Sequence, residues 1–433
     1  MEWLALSAAS LVTAIAWAMR EFLKNAVTFL CAATLAYGVG EGAYSYLYRW
    51  GYLGYDRDGW YFLDADQTIH FDPDIGYRLT RHPSTHLRIA SGKMEYSGVF
   101  RGNNRGFQDA QDFFPARPRT NPYRVAVLGD SFSAEPFLDV NWPDRAEAWA
   151  AAEVGKRPLE LLNFSLYSGG LANWRNIVLK EIEPQAYQLD LLVIPVFAND
   201  LFRPFMAFDA RETHKLLIGQ SGFDPDRLPA TLAAWRACCA TESEGYVLNA
   251  TEWQRFQAGA WHPDLPRPAQ RYLMEHTRFL LTVLWQRAGQ WWRREETDAG
   301  VVPASSGYQP DPALGSGQLT SEQLQLIDDI RAYLRRTGLP VVVVRVPDRE
   351  ELVHQAAVAG NVLDFAERLG GSVVDGAAAF DTLSTAERSQ QYFPQDGHWN
   401  QSGSDRFARF MLHYLQGYAQ KNTFPEVSRT HAP

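Results

Sequence analysis

Two short segments far apart in the chain carry residue types that together can activate a hydroxyl for attack on a carbonyl. The first is Arg124-Val-Ala-Val-Leu-Gly-Asp-Ser-Phe-Ser133, where an apolar run breaks at Gly129 and presents Ser131. The second is Tyr392-Phe-Pro-Gln-Asp-Gly-His-Trp-Asn-Gln-Ser-Gly403, which puts Asp396 and His398 on one loop. A serine hydroxyl is a poor nucleophile until a base takes its proton, and an imidazole base works best when a carboxylate fixes its tautomer and stabilises the imidazolium. Gly-Asp-Ser or Asp-x-His alone is a common chance match. The combination is specific.

The elements that must position these residues follow from the pattern around them. Val125 to Leu128 is a continuous apolar run, as expected of a buried parallel strand, and catalytic groups in open α/β sheets sit just past the carboxyl ends of strands. Gly129 permits the tight turn, and Ala134 to Leu138 is expected to open a helix. From Pro143 the chain alternates. Ala146 to Val154 reads as helix, Leu159 to Phe164 as strand, Trp174 to Ile182 as helix and Leu189 to Phe197 as strand, the signature of a parallel sheet covered by helices. Further on, Thr320 and Gln323 form a capping box, Leu324, Ile327, Ile330 and Leu334 a helical face, Gly338 a stop, and Leu339 to Val346 a fully buried strand. The last helix is expected to be capped by Ser402, with Asp405 in its first turn and Phe407, Phe410, Met411, Tyr414 and Leu415 on its apolar face.

With these blocks in hand, the chain resembles the SGNH (GDSL-like) serine hydrolases from about residue 70 onward, and most closely the membrane-anchored branch found with bacterial cell-surface polysaccharide genes. Four blocks carry the resemblance in the family's order: Gly-Asp-Ser at 129–131, Asn-Phe-Ser-Leu-Tyr-Ser-Gly-Gly at 163–170, Phe-Ala-Asn-Asp at 197–200 and Asp-Gly-His at 396–398. The resemblance implies a three-layer, flavodoxin-like α/β fold with a parallel sheet. It implies Ser131 as nucleophile, His398 as base and Asp396 as its orienter. The oxyanion hole it implies is Asn199 with the backbone N–H groups of Ser131 and of either Ser168 or Gly169. It implies no cofactor and no metal. The substrate implied is a short O-acyl, above all acetyl, ester of an exported or cell-surface glycan, and a membrane acyl-donor protein is the implied partner where the reaction is transfer. A glycan-binding or scaffold subunit with a silent site is the alternative reading, and the intact Ser131, Asn199, Asp396 and His398 argue against it.

Composition narrows the rest. A net charge of −9, with no basic run of five, argues against a nucleic-acid partner. Three cysteines, of which Cys238 and Cys239 are adjacent, indicate neither a disulfide framework nor a zinc site. Residues 1–50 hold two apolar runs, Trp3 to Met19 and Ala26 to Gly40, separated by Arg20, Glu21 and Lys24, which predicts an anchor of one or two membrane helices. The basic residues place the short side in the cytoplasm and the rest of the chain outside, in the periplasm of a cell with an inner membrane. Residues 51–123 read as a β and loop lead-in packed on the core, with no chemistry of its own. The α/β domain is expected over 124–420 with a 421–433 tail. Its inserted helical cap at about 201–319 is signalled by Leu273, Thr277, Leu280, Leu284, Ala288 and Trp291 at helical spacing and by the linker from Gly300 to Gly317.

Overall fold

Every residue of Tyr123–Val127, Leu191–Phe197 and Val341–Val346 is buried, and strands without an exposed face must be covered on both sides. The computed structural model describes residues 2–49, 58–153, 156–197, 199–203, 205–210, 215–219, 231, 233–234, 240–258 and 318–422. They fall into two units, one of Met1–Gly54 with Gln254–Val302 and one of Tyr55–Trp253 with Pro303–Pro433.

In the second unit the strands are β1 (Gly59–Leu63), β2 (Ile69–Asp72), β3 (Gly76–Leu79), β4 (Ser84–Ala90), β5 (Lys93–Phe100), β6 (Tyr123–Val127), β7 (Leu159–Asn163), β8 (Leu191–Phe197), β9 (Lys215–Gly219), β10 (Ala240–Leu248), β11 (Val341–Val346) and β12 (Ser372–Asp375). The core sheet runs β12-β11-β8-β6-β7 with all pairs parallel. Counted in chain order within that sheet, this is the flavodoxin-like order 2-1-3-4-5, whose direction reverses between β6 and β8. A second sheet, β5-β4-β1-β10-β9, joins the lead-in strands to two strands from the insertion, so the insertion is not purely helical. β2 and β3 form a separate hairpin. The helical stripe at 273–291, the linker at 300–317, Cys238 and Cys239, and residues 423–433 lie outside the described residues.

The helices include α1 (Glu2–Arg49), α2 (Ser131–Ala134), α3 (Trp142–Ala152), α4 (Leu171–Asn176), α5 (Ser321–Thr337), α6 (Gly360–Leu369) and α7 (Gln401–Asn422), with a π-helical turn at Ile177–Ile182 after α4. Side chains alternate across the pleat of β6. Val125 and Val127 pack with Trp142 and Ala146 of α3 and Phe407, Met411 and Leu415 of α7, while Ala126 packs with Trp174 of α4, Ile327 and Ile330 of α5 and Phe365 of α6. Those are the two outer layers of a three-layer α/β sandwich. The Thr320–Gln323 capping box opens α5 and Gly338, at φ 66°, closes it.

Two local expectations are corrected, and the expected one or two N-terminal helices are narrowed to one. The helix after the first block begins at Ser131 rather than Ala134, because Asp130 caps it by accepting from the Phe132 N–H at 2.9 Å, and Pro136 excludes a helical Glu135. α7 is capped by Asn400, whose Oδ1 accepts from Ser402 and Gly403, and the Ser402 hydroxyl donates to Gln391 instead. In the first unit, Arg20, Glu21 and Lys24 do not divide the N-terminal segment into two helices. All three are good helix formers, no Gly or Pro interrupts them, and Lys24 pairs with Glu21 at 2.7 Å. One continuous helix results, at 1.5 Å per residue about 72 Å long, and its Trp17–Ala43 stretch is long and apolar enough to cross a membrane.

Candidate active site

Ser131 stands at the carboxyl end of β6 and Asn199 two residues past β8, on either side of the point where strand order reverses. That crevice is where open α/β sheets bind ligands. The turn at Gly129 is held by the second block. Its N–H donates to the Ser165 hydroxyl at 2.9 Å, and its carbonyl accepts from the Leu166 N–H at 3.2 Å and the Trp174 indole at 3.1 Å. The need for glycine is one of space, since a Cβ at Gly129 would lie 2.7 Å from the Ser133 hydroxyl and 3.2 Å from that of Ser165.

The Ser131 Oγ lies 2.8 Å from His398 Nε2 and 3.2 Å from an Asp130 oxygen. On the other side of the ring, His398 Nδ1 is hydrogen-bonded to Asp396 Oδ1, which also accepts from the His398 backbone N–H at 3.3 Å. The Asp-Gly-His spacing closes this tight loop because Gly397 takes φ 89°, a conformation that side-chain-bearing residues avoid. Phe132 and Phe137 flank the imidazole, with ring centroids at 4.8 and 4.6 Å. Ser131 is 3% exposed and the His398 side chain 22%, so the base borders solvent while the serine is almost fully covered.

The structure does not bring every expected donor to the same condition. Asn199 is buried, with its carbonyl accepting from the Phe202 N–H at 3.0 Å. The Gly169 N–H is spent on the Leu166 carbonyl at 2.9 Å, whereas the Ser168 N–H has no such acceptor among the described residues and its backbone sits at φ 59°. Next to the block, Asp200 accepts from the Phe197 N–H at 2.9 Å, and Arg203 lies 3.4 Å from Asp200 and 3.7 Å from Asp130. Burial, then the Asp130 charge, push the Asp200 carboxyl well above its usual range.

Residues 51–123, read from sequence as a lead-in with no chemistry of its own, reach the Asp396 carboxylate. Asp396 Oδ2 accepts from the Trp60 indole at 3.1 Å and the Tyr96 hydroxyl at 2.9 Å, and Arg88 lies 3.0 Å away. Burial disfavours ionised Asp396, but His398, Arg88 and the Trp60 donor outweigh it and hold the carboxyl below the usual carboxylate range. Arg88 also approaches Glu95 at 3.5 Å and lies over the Trp60 ring at 4.7 Å. His86, two residues before Arg88, stacks on Phe62 at 4.2 Å with neither ring nitrogen hydrogen-bonded among the described residues, and burial lowers it to about 3, so it stays neutral. The Tyr96–Asp396 partners are 300 residues apart. The available signal was a polar pair, His86 and Arg88, two apart on one strand face pointing inward.

Glu135 also escaped the sequence reading. Its backbone sits at φ 46°, unfavourable for a residue with a side chain, and is kept there by three donors to its carboxyl: the Trp142 N–H at 2.7 Å, the Ser404 hydroxyl at 2.8 Å and the Trp399 indole. It thus ties the end of α2 to the residue after His398. Burial, outweighing those donors, pushes it up from 4.5 to about 8. Between those values the folded protein keeps a proton that the unfolded chain has lost, so stability falls as pH rises through that window, by at most about 1.36 kcal/mol per pH unit from this group. Asp144 and Glu147, raised by burial to about 6 and about 7, act in the same direction. Thermal melts between pH 5 and 8 are therefore expected to show a declining Tm, with a shallower decline for Glu135→Gln; an equal slope in the variant rejects the assignment.

Residues 306–428 match the ALGX family, described as an SGNH hydrolase-like domain of acetyltransferase AlgX. The matched span holds Asp396 and His398 but not Ser131. No curated protein matches the chain. Solved structures similar to it include a lipase/acylhydrolase from Enterococcus faecalis, 9% identical over 68% of this chain and 96% of that one, TM-score 0.33. Another is the acetylxylan esterase Axe2 from Geobacillus stearothermophilus, 12% identical over 68% and 94%, TM-score 0.31. The match to an SGNH hydrolase-like domain covers the loop that holds the histidine and aspartate, and the fold brings to that histidine a hydrogen-bonded serine at the switch point of a 2-1-3-4-5 parallel sheet.

Proposed function

We propose that the chain is a membrane-anchored, extracytoplasmic acyl-transfer enzyme acting on short O-acyl esters, chiefly acetyl, of exported or cell-surface glycans. The observation that carries this reading is the 2.8 Å contact of Ser131 Oγ with His398 Nε2, on a ring whose other nitrogen faces Asp396. With Nδ1–H donated to Asp396, Nε2 has a lone pair for the serine proton. Ser131 Oγ bonds to the acyl carbon as its proton passes to Nε2. The resulting oxyanion is held by the Asn199 side chain and by the backbone N–H groups of Ser131 and of Ser168 or Gly169, each donor worth about 2.7–4 kcal/mol. Of the last two, the uncommitted Ser168 N–H is the better candidate. The ester C–O bond then breaks, Nε2 protonates the leaving oxygen, and an acyl-Ser131 remains. Water or a sugar hydroxyl attacks it in the reverse sequence and returns the proton to Oγ.

The near-complete burial of Ser131 supports a small acyl group, and the acetyltransferase named in the family match supports acetyl. Full-length protein in detergent, given an activated acetyl ester with and without an oligosaccharide acceptor, is expected to release acetate or to form an acetylated oligosaccharide. The ratio of the two separates esterase from transferase. Neither product under any condition would favour the glycan-binding or scaffold reading.

For the anchor, Arg20 and Lys24 near one end of the Trp17–Ala43 stretch support a cytoplasmic N-terminal side and a catalytic domain on the periplasmic side of a bacterial inner membrane. Full-length protein is expected to pellet with membranes, and protease added to spheroplasts to digest the domain after residue 50. Protection from protease would reverse this orientation, and a soluble full-length protein would remove the anchor.

A further inference from the structure

Trp60, Arg88 and Tyr96 come from three neighbouring strands and form a single row. Trp60 on β1 is the register partner of Arg88 on β4, and Arg88 is the register partner of Tyr96 on β5. Cross-strand neighbours stand about 4.7–4.9 Å apart, so the row delivers three side chains to one place. All three meet the same oxygen, Asp396 Oδ2, at 3.1, 3.0 and 2.9 Å, and the described contacts of Oδ1 are to His398 alone. A carboxylate on a three-residue loop can turn about its last side-chain bond, which would exchange its two oxygens and disturb the imidazole. Two hydrogen-bond donors, Trp60 and Tyr96, and the Arg88 charge on one oxygen oppose that turn.

Resting on the acyl-transfer reading, we propose that Trp60, Arg88 and Tyr96 are positioning residues that clamp Asp396 by Oδ2, so that Oδ1 fixes the orientation and tautomer of His398, and that the N-terminal sheet thereby forms part of the catalytic apparatus. The row is itself braced. Arg88 is held from its far side by Glu95, whose other oxygen accepts from the Gln395 N–H next to Asp396 in the chain, and Tyr96 packs on Phe137 and Phe393 at 5.5 and 4.8 Å. Burial raises the Tyr96 phenol well above its usual range, so the hydroxyl remains a donor wherever the enzyme works. His86 adds no competing charge.

A double-mutant cycle tests this in the full-length protein. Tyr96→Phe deletes one hydroxyl and keeps the ring packing, and it is expected to lower kcat for an activated acetyl ester about tenfold to a hundredfold with KM unchanged, as for a lost hydrogen bond to a charged group. In an Asp396→Asn background the same substitution is expected to cost less than about twofold, because residues acting through one group do not add. Trp60→Phe, run in parallel, is expected to behave alike and serves if the tyrosine variant does not fold. Equal losses in both backgrounds, or full activity of Tyr96→Phe, would overturn the clamp while Ser131→Ala remains dead. Full turnover by Ser131→Ala would overturn the acyl-transfer reading and the clamp with it.

Discussion

Ser131→Ala is expected to lower turnover of an activated acetyl ester by on the order of 10⁴–10⁶-fold while leaving the melting temperature unchanged. Among the described residues the hydroxyl is hydrogen-bonded to His398 Nε2 and Asp130, so its loss removes these bonds and little packing. α2 keeps its cap, because the Phe132 N–H donates to Asp130 Oδ1, while the Ser131 hydroxyl meets the other oxygen, Oδ2. Alanine is also the better helix former at the first position of that turn. The measurement is steady-state kcat/KM together with a thermal melt. Retained activity would make the Gly-Asp-Ser block a coincidence, and a large drop in Tm would make the hydroxyl structural. His398→Ala should be nearly as damaging, and Ser131→Ala with His398→Ala no worse than Ser131→Ala alone, since nucleophile and base act as one unit.

Asp396→Asn is expected to cost about 10⁴-fold in kcat, a loss larger than the removal of one charge suggests. The reason is the set of donors on Oδ2. The Trp60 and Tyr96 donors require an acceptor there and the Arg88 charge favours one, so the asparagine carbonyl is expected to take that position and its NH₂ to face His398 Nδ1. Nδ1 then becomes an acceptor, the ring proton moves to Nε2, and the base has no lone pair for Ser131. Asp396→Ala leaves Nδ1 without this partner and does not impose the wrong tautomer. Asp396→Asn is therefore expected to be at least as inactive as Asp396→Ala, although it is the more conservative change. A substantially more active Asp396→Asn would show that the donors on Oδ2 do not dictate the amide's orientation.

What the sequence alone determined is local. The apolar runs ending at Gly129 and Phe197, the capping box at Thr320 and Gln323, the stop at Gly338 and the paired Asp396 and His398 are each written within a few residues, and short-range sterics and burial suffice to read them. The α/β alternation and hence the parallel sheet follow from the same periodicities. The tertiary structure decided everything that depends on register between distant strands. No spacing rule links Trp60, Arg88 and Tyr96 to a carboxylate some 300 residues later, because the row exists only once β1, β4 and β5 are paired and their sheet faces the Asp396 loop. Nor does the sequence around Glu135 say that its carboxyl will meet Trp399 and Ser404. Even the glycine at 129 was assigned to a tight turn from sequence, whereas its requirement is the space taken by Ser133 and Ser165, and that space is set by packing between segments that meet only in the folded chain.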